Sequence, residues 1–170
     1  SPICTPSRAS LLTGRCPGRA GIEGNAGVVP GDPGMPTTEV TLAEMLRPAG
    51  YATGIFGKWH LGADPEMSPL GQGFDQFLGC KDGCIDKYSH CFMWGGPIIH
   101  DLFRNDMPYY ENGTHFSEII VREATRFMED NCDRPFFLYV PWNLPHYPRQ
   151  APARFREMYE NLPVPRRSYA

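Results

Sequence analysis

Cys4-Thr5-Pro6-Ser7-Arg8 places a sulfur nucleophile, a helix-starting proline and a cation within one helical turn of each other. A helix opening there presents unpaired N–H groups and the positive end of its dipole beside Cys4, an arrangement that favours a bound anion. Arg8, four residues on, falls one turn away on the same side. The same spacing also suits a structural cysteine ahead of an ordinary helix, and spacing does not decide between the two. A second cluster, Lys58-Trp59-His60, sets a cation and a base two residues apart. Taken alone, it reads as a surface lysine and a half-buried histidine. The third, Asn143-Leu144-Pro145-His146, carries a loop histidine behind a proline, and alone that histidine reads as solvent-exposed.

The elements that must position these clusters alternate along the chain. Ser1 to Cys4 reads as the tail of a strand, and Pro6 to Thr13 as a short helix with Thr5 as N-cap and Gly14 as its stop. Residues 16–37 read as loop. Thr41-Leu42-Ala43-Glu44 is a capping box opening a helix with Leu42, Met45, Leu46 and Ala49 on one face, ended by Gly50. Tyr51 to Phe56 reads as a strand and residues 62–112 as irregular, with at most short elements. Phe116 to Asn131 reads as an amphipathic helix with Ile119, Ile120, Ala124, Phe127 and Met128 apolar. Pro135 to Val140 is a nearly continuous apolar run, as expected of a strand covered on both faces. Helix then strand, twice, predicts an α/β domain with a largely parallel sheet flanked by helices. In such sheets a site lies beyond the carboxyl ends of the strands, where all three polar clusters fall.

Composition narrows the class. The 16 basic and 19 acidic residues give a net charge of −3, which offers no electrostatic case for nucleic acid or an anionic membrane. No run of about 18 apolar residues is present, so no transmembrane helix is expected. Gly and Pro number 18 each, a share that predicts many turns between short elements. The six cysteines, Cys4, Cys16, Cys80, Cys84, Cys91 and Cys132, match no common zinc or iron–sulfur spacing and read as free thiols or one or two disulfides. They contain no Cys-x-x-Cys, which argues against a small redox protein. Asn112-Gly113-Thr114 fits a glycosylation sequon, a tripeptide common by chance.

Cys4-x-Pro6-Ser7-Arg8-x-x-Leu11-x-Thr13-Gly14-Arg15 resembles the signature of the type I sulfatases, the formylglycine-dependent, arylsulfatase-like enzymes of the alkaline phosphatase superfamily. Gly50-Tyr51-x-Thr53-x-x-x-Gly57-Lys58-Trp59-His60-Leu61-Gly62 resembles that family's second signature. Pro135-Phe136-Phe137-Leu138 followed by Asn143-Leu144-Pro145-His146 resembles its strand and loop carrying a further histidine. The resemblance covers essentially the whole chain, with Glu39 to Leu46 and Gly71 to Gly79 reading like the family's connecting segments. It implies that residues 1–170 are part of an alkaline-phosphatase-like catalytic domain, truncated at both ends.

The resemblance also implies the chemistry. Cys4 would be oxidised to formylglycine by a maturation enzyme that reads Cys-x-Pro-x-Arg, and the hydrated aldehyde would attack sulfur to give a covalent sulfo-enzyme. Arg8 would hold the formylglycine, Lys58 would bind sulfate oxygens, and His60 would act as general base. His146 would bind sulfate or protonate the leaving alcohol, and Ser89 and His90 would line the substrate pocket. His100 and His115 match nothing in the family and read as surface or satisfied loop histidines. The family binds one divalent cation, usually calcium, through acidic oxygens and the formylglycine oxygen made from Cys4. The family's adjacent aspartates have no counterpart here, and Asp130-Asn131 reads as a solvated helix end rather than a ligand pair. The implied partners are a sulfate ester, as sulfated carbohydrate or aryl sulfate, and the maturation enzyme. The implied setting is an exported one: periplasm, cell exterior or lysosome. Two rivals stay open: a phosphonate or phosphate monoester hydrolase of the same superfamily, and an inactive fragment. The aromatics Tyr88, Phe92, Trp94 and Tyr109 suit either a ring-stacking pocket or the core.

Overall fold

A computed structural model describes residues 3–27, 31–92, 97–163 and 166. In chain order the elements are α1 (Cys4–Thr13), α2 (Leu42–Leu46), β1 (Ala52–Lys58), β2 (Gln76–Cys80), β3 (Cys91–Phe92), β4 (Ile99–His100), β5 (Phe103–Arg104), β6 (Met107–Pro108), α3 (Phe116–Asp130), β7 (Phe136–Tyr139) and α4 (Ala153–Glu157). Five strands form a mixed sheet in the order β6-β5-β2-β1-β7, and β3 pairs with β4 separately. β1 runs parallel to both β2 and β7, with Gly54 opposite Gln76 on one side and Leu138 on the other. β5 and β6 extend the sheet in antiparallel sense.

Alternation along the parallel strands feeds two cores, one on each face of the sheet. Ile55, Phe77, Phe137 and Tyr139 face the core that holds Ala9 and Leu12 of α1, Met35, Trp59 and Phe74. Phe56, Leu78, Phe136 and Leu138 face the core built on α3, with Phe116, Ile119, Ile120 and Phe127. All seven residues of β1 are buried, whereas β7, at the edge of the sheet, is half-buried throughout.

Several expectations are corrected here. Helix α1 begins at Cys4, one residue ahead of the expected cap. Ile3 is its N-cap, in extended conformation and without a side-chain bond. Thr5 lies in the first turn instead, its Oγ1 donating to the carbonyl of His60 (2.8 Å) and accepting from Ala26 N (2.9 Å). Gly14 stops the helix in the left-handed region, φ 70°. The strand expected over Ser1 to Cys4 falls partly outside the described residues; Ile3 is extended and Cys4 is helical. The loop over 16–37 contains a 3₁₀ turn, Pro17–Ala20.

The capping box at Thr41 and Glu44 is present, but the apolar face assigned to its helix is not buried. Leu42 and Met45 are exposed, and Ala43 is the buried residue. Thr41 Oγ1 also donates to Gln72 O (2.8 Å), which fixes the phase of the helix with Ala43 inward. After Leu46 the chain tightens into a 3₁₀ turn, Arg47–Ala49, so the 3.6-residue period does not persist. In the segment expected to be irregular, β2 is a full partner of β1. Asn131 is buried rather than solvated. Its Nδ2 donates to Phe127 O (2.7 Å) and its Oδ1 accepts from Arg134 Nε (2.7 Å), which closes the C-terminal end of α3.

All six cysteines are free thiols, with Cys80 and Cys84 buried. Asn112 is exposed in a turn. Among the four aromatics, Phe92 is buried, Tyr88 meets the His115 ring edge-on and Tyr109 lies under the Arg104 guanidinium. Trp94 lies outside the described residues. Among the described residues, no helix is long and apolar enough to cross a membrane.

Candidate active site

The carboxyl ends of β1, β2 and β7 gather the polar residues. Lys58 is the last residue of β1, and its N–H donates to Pro141 O (2.8 Å), just beyond β7. Trp59 N and His60 N then donate to Cys80 O (2.9 Å) and Lys81 O (3.0 Å) at the end of β2. The Lys58-Trp59-His60 segment is thereby held between both neighbours. Glycines permit this crowding: a Cβ on Gly57, at φ 140°, would stand 2.2 Å from Pro141 O, and one on Gly79 would stand 1.7 Å from Gly57 O.

Helix α1 brings its N-terminus to the same place. Arg8 Nη1 donates to the Lys58 carbonyl at 2.5 Å, and Thr5 Oγ1 holds the His60 carbonyl. Cys4 and Arg8 line one cavity of about 210 Å³ together with Ser7, Leu11, Tyr139 and Pro141. Cys4 and Arg8 thus share a cavity, and the backbones of Lys58 and His60 are held against the same helix end by Arg8 and Thr5. His146 follows β7 on the loop whose Pro141 touches Lys58, and its N–H donates to Asn143 O (3.1 Å).

The electrostatics agree with convergence. Burial holds the His60 imidazole down, to about 3, with the positive charges of Lys58, Arg8 and His146 adding to the effect. The residue is 6% exposed; its Nδ1 lacks a hydrogen-bond partner among the described residues, and a backbone hydrogen bond at Ala26 acts in the opposite sense, favouring the charged ring. His60 also sits at φ 55°, a left-handed conformation that side-chain-bearing residues adopt at a cost and that tends to cluster at functional sites. His146 is lowered too, by burial first and then by Lys58 and Lys87. Asp82, in the loop after β2, is raised to about 6 by burial, although the Gly83 N–H and Lys58 favour its charged form.

The Ser89–His90 pair lies on that same loop. Ser89 is half-buried, and its N–H and Oγ both donate to Asp86 Oδ1 (2.7 and 3.0 Å). His90 is fully buried, with Nε2 at Thr114 O (3.0 Å) and φ 57°. Its ring is committed to the loop that leads into α3. His100 bonds the carbonyls of Leu102 and Tyr109, and His115 caps α3 through Nδ1, so both are satisfied structural histidines. Tyr139, Gln150 and Lys87 were not singled out from the sequence. Lys87 is fully buried with Nζ donating to Ile85 O (2.8 Å), and its charge acts on His146. A lysine two positions from Ser89 was the available signal.

A divalent cation does not fit the residues present. Among the described residues, no three His, Cys, Asp or Glu side chains stand close enough to hold one.

The sulfatase family model matches residues 1–167. The chain belongs to the sulfatase family. It is 34% identical to arylsulfatase J of Mus musculus, over 99% of this chain and 29% of that protein. It is 37% identical to arylsulfatase A of Homo sapiens, over 91% of this chain and 34% of that protein. The chain thus spans about a third of the length of the curated relatives it matches. Among solved structures, Ps i-CgsB in complex with k-i-k-neocarrahexaose superposes with a TM-score of 0.87 at 30% identity, over 98% of this chain and 40% of that one. BT4656 in complex with D-glucosamine-2-N,6-O-disulfate superposes with a TM-score of 0.68 at 25% identity, over 94% and 28%. The mixed sheet flanked by helices is accordingly part of a sulfatase fold.

Proposed function

We propose that the full-length protein carrying this chain is a sulfuric ester hydrolase that releases inorganic sulfate, with Cys4 as the precursor of its nucleophile. The observation that carries this reading is the cavity shared by Cys4 and Arg8 at the start of α1, with Arg8 bonded to Lys58 O and Thr5 to His60 O. The neighbours support a sulfated carbohydrate as substrate, since two of them were solved with carbohydrates bound, one a glucosamine disulfate. Aryl sulfates remain the practical assay. The setting that fits this reading is an exported one, as the family resemblance implies.

In this reading a maturation enzyme, using dioxygen as oxidant, oxidises the Cys4 side chain by two electrons, water replaces its sulfur, which leaves as hydrogen sulfide, and the resulting aldehyde of formylglycine takes up water to give a gem-diol. One diol oxygen attacks sulfur and gives up its proton, the bond from sulfur to the ester oxygen breaks, and that oxygen leaves as the alcohol with a proton relayed by His146. The sulfate is then covalently attached. The second diol hydroxyl gives its proton to His60, the aldehyde re-forms, and the bond to sulfate breaks with its electron pair on the departing oxygen. A plain thiol has no second hydroxyl, so unconverted Cys4 cannot complete the cycle. Arg8 and Lys58 offset the charge on the transferring group. Burial and these two cations keep the free His60 ring neutral, and the anionic sulfate group, by offsetting Lys58 and Arg8, raises its basicity for the proton transfer. In this reading Ser89 lines the substrate pocket with its hydroxyl donated to Asp86 Oδ1, and His90 holds that loop in place through Thr114 O.

The test is turnover of matched aryl sulfate and aryl phosphate esters by full-length protein co-produced with a maturation enzyme, with Cys4→Ala as control. Sulfate turnover is expected to dominate and to vanish in Cys4→Ala. Dominant phosphate turnover would transfer the assignment to the phosphonate and phosphate hydrolases of the superfamily. Absence of both, with conversion of Cys4 confirmed by mass, would leave the inactive reading.

A further inference from the structure

Asn143 is 2% exposed, and neither Nδ2 nor Oδ1 of its side chain has a hydrogen-bond partner among the described residues. Buried amides are almost always bonded, because an amide cut off from water keeps two donors and an acceptor unmatched. The other buried amide with an unmatched atom, Gln72, lacks a partner only at Oε1, since its Nε2 bonds Glu66 O. Asn143 is unmatched at both ends. An apolar side chain of the same size would avoid the cost entirely, so packing does not explain an asparagine here.

Its position supplies an explanation. Asn143 stands in the loop after β7, two residues beyond Pro141, whose carbonyl accepts from Lys58 N. Its own carbonyl accepts from His146 N, which ties it to the histidine of the site. The buried polar atoms without partners include Arg8 Nε and His60 Nδ1, carried at the same end of the sheet. A ligand presenting several oxygens would answer these groups together.

We propose that the Asn143 side chain contacts the bound ester, donating from Nδ2 to a sulfate oxygen and accepting at Oδ1 from a substrate hydroxyl. The inference rests on the sulfate-ester reading above and extends it to a residue outside the histidine, lysine and arginine set.

The experiment uses the full-length, matured protein as wild type, Asn143→Leu and Asn143→Asp. It reads kcat and KM on an aryl sulfate, melting temperature, and the rise in melting temperature on adding inorganic sulfate. Asn143→Leu is expected to melt at or above the wild-type temperature while kcat/KM falls by about tenfold to a hundredfold, the usual consequence of losing one bond to a charged group. The sulfate-induced rise should shrink in parallel. Asn143→Asp matches the native side chain in size and places a carboxylate against sulfate, so it should lose at least as much. If Asn143→Leu does not fold, Asn143→Asp decides. A variant with wild-type kinetics and a wild-type sulfate response overturns the inference, as does a fall in melting temperature with kinetics unchanged. Wild-type protein that turns over no sulfate ester sinks the functional reading separately. In that case the sulfate-induced rise still decides: an undiminished rise in both variants, or no rise in wild type, removes Asn143 from the site.

Discussion

His60 shows how one side chain is prepared by its surroundings. Its backbone is clasped by Thr5 and Lys81, its φ is 55°, and its ring is enclosed. With its titration held down to about 3, the free ring is neutral at any ordinary working pH, and its basicity must rise when an anion offsets Lys58 and Arg8. Geometry limits it as tightly as charge does. A Cβ on Gly83 would stand 2.8 Å from Cε1 of the ring, so Gly83→Ala must displace the imidazole. The expected outcome is a kcat on aryl sulfate lowered about tenfold with KM little changed, because a base shifted by a fraction of an ångström transfers protons poorly. Steady-state kinetics with a melting curve check this, and an unchanged kcat refutes it. From the sequence, His60 was legible only through its place in a long motif. The glycine that makes room for it, 23 positions away, was not, since steric partners across loops leave no local pattern.

At the scale of elements, the sheet carries the site because β1 touches both flanking strands beyond its last pairing. Gly57 is the hinge of that contact: its φ is 140°, and the atom facing a would-be Cβ is the backbone oxygen of Pro141, which has no side-chain freedom to yield. Gly57→Ala is expected to cost about 2–4 kcal/mol of stability, combining backbone strain with a displaced loop. Urea unfolding of the full-length protein measures it, and a loss below about 1 kcal/mol would show that the loop relaxes freely. The elements read well where signals were local or long. The capping box at Thr41, the 15-residue α3 and the strand in the apolar run all appear, although β7 is half-buried at the sheet edge rather than covered on both faces and Met128 of α3 is exposed. β2 was missed because its sequence, Gln76-Phe77-Leu78-Gly79-Cys80, carries a glycine whose reason is a neighbouring strand. The apolar stripe of α2 misled because a five-residue helix has too few turns for periodicity to define a face.

At the scale of the molecule, buried titratable groups pull stability in two directions. Burial lowers His60, His90, His115 and His146 below the ordinary 6.5. The unfolded chain takes up those protons first, so the stability these neutral rings contribute is present above pH 6.5 and is lost as pH falls below it. Asp101 works the other way. Burial raises it to about 8 despite backbone donors at Lys81 and Asp82, so its contribution is present at low pH and is lost as pH rises towards 8. Melting temperature should therefore peak between about pH 6 and pH 7. His90→Gln should flatten the acidic side, as calorimetry from pH 4 to pH 9 would register, and an acid slope unchanged in that variant would exclude His90 as a contributor. The register of β1 has one more consequence. Gly54 meets Gln76 after 22 positions of chain but Leu138 after 84, and closing the longer loop costs only about 1 kcal/mol more in entropy. The later strand is delayed less by that cost than by its place in the chain. As the polypeptide emerges in order, Cys4, Ser7 and Arg8 are made long before Tyr139 and Pro141, which line the other side of their cavity, so the pocket acquires its cation before it acquires its closing side.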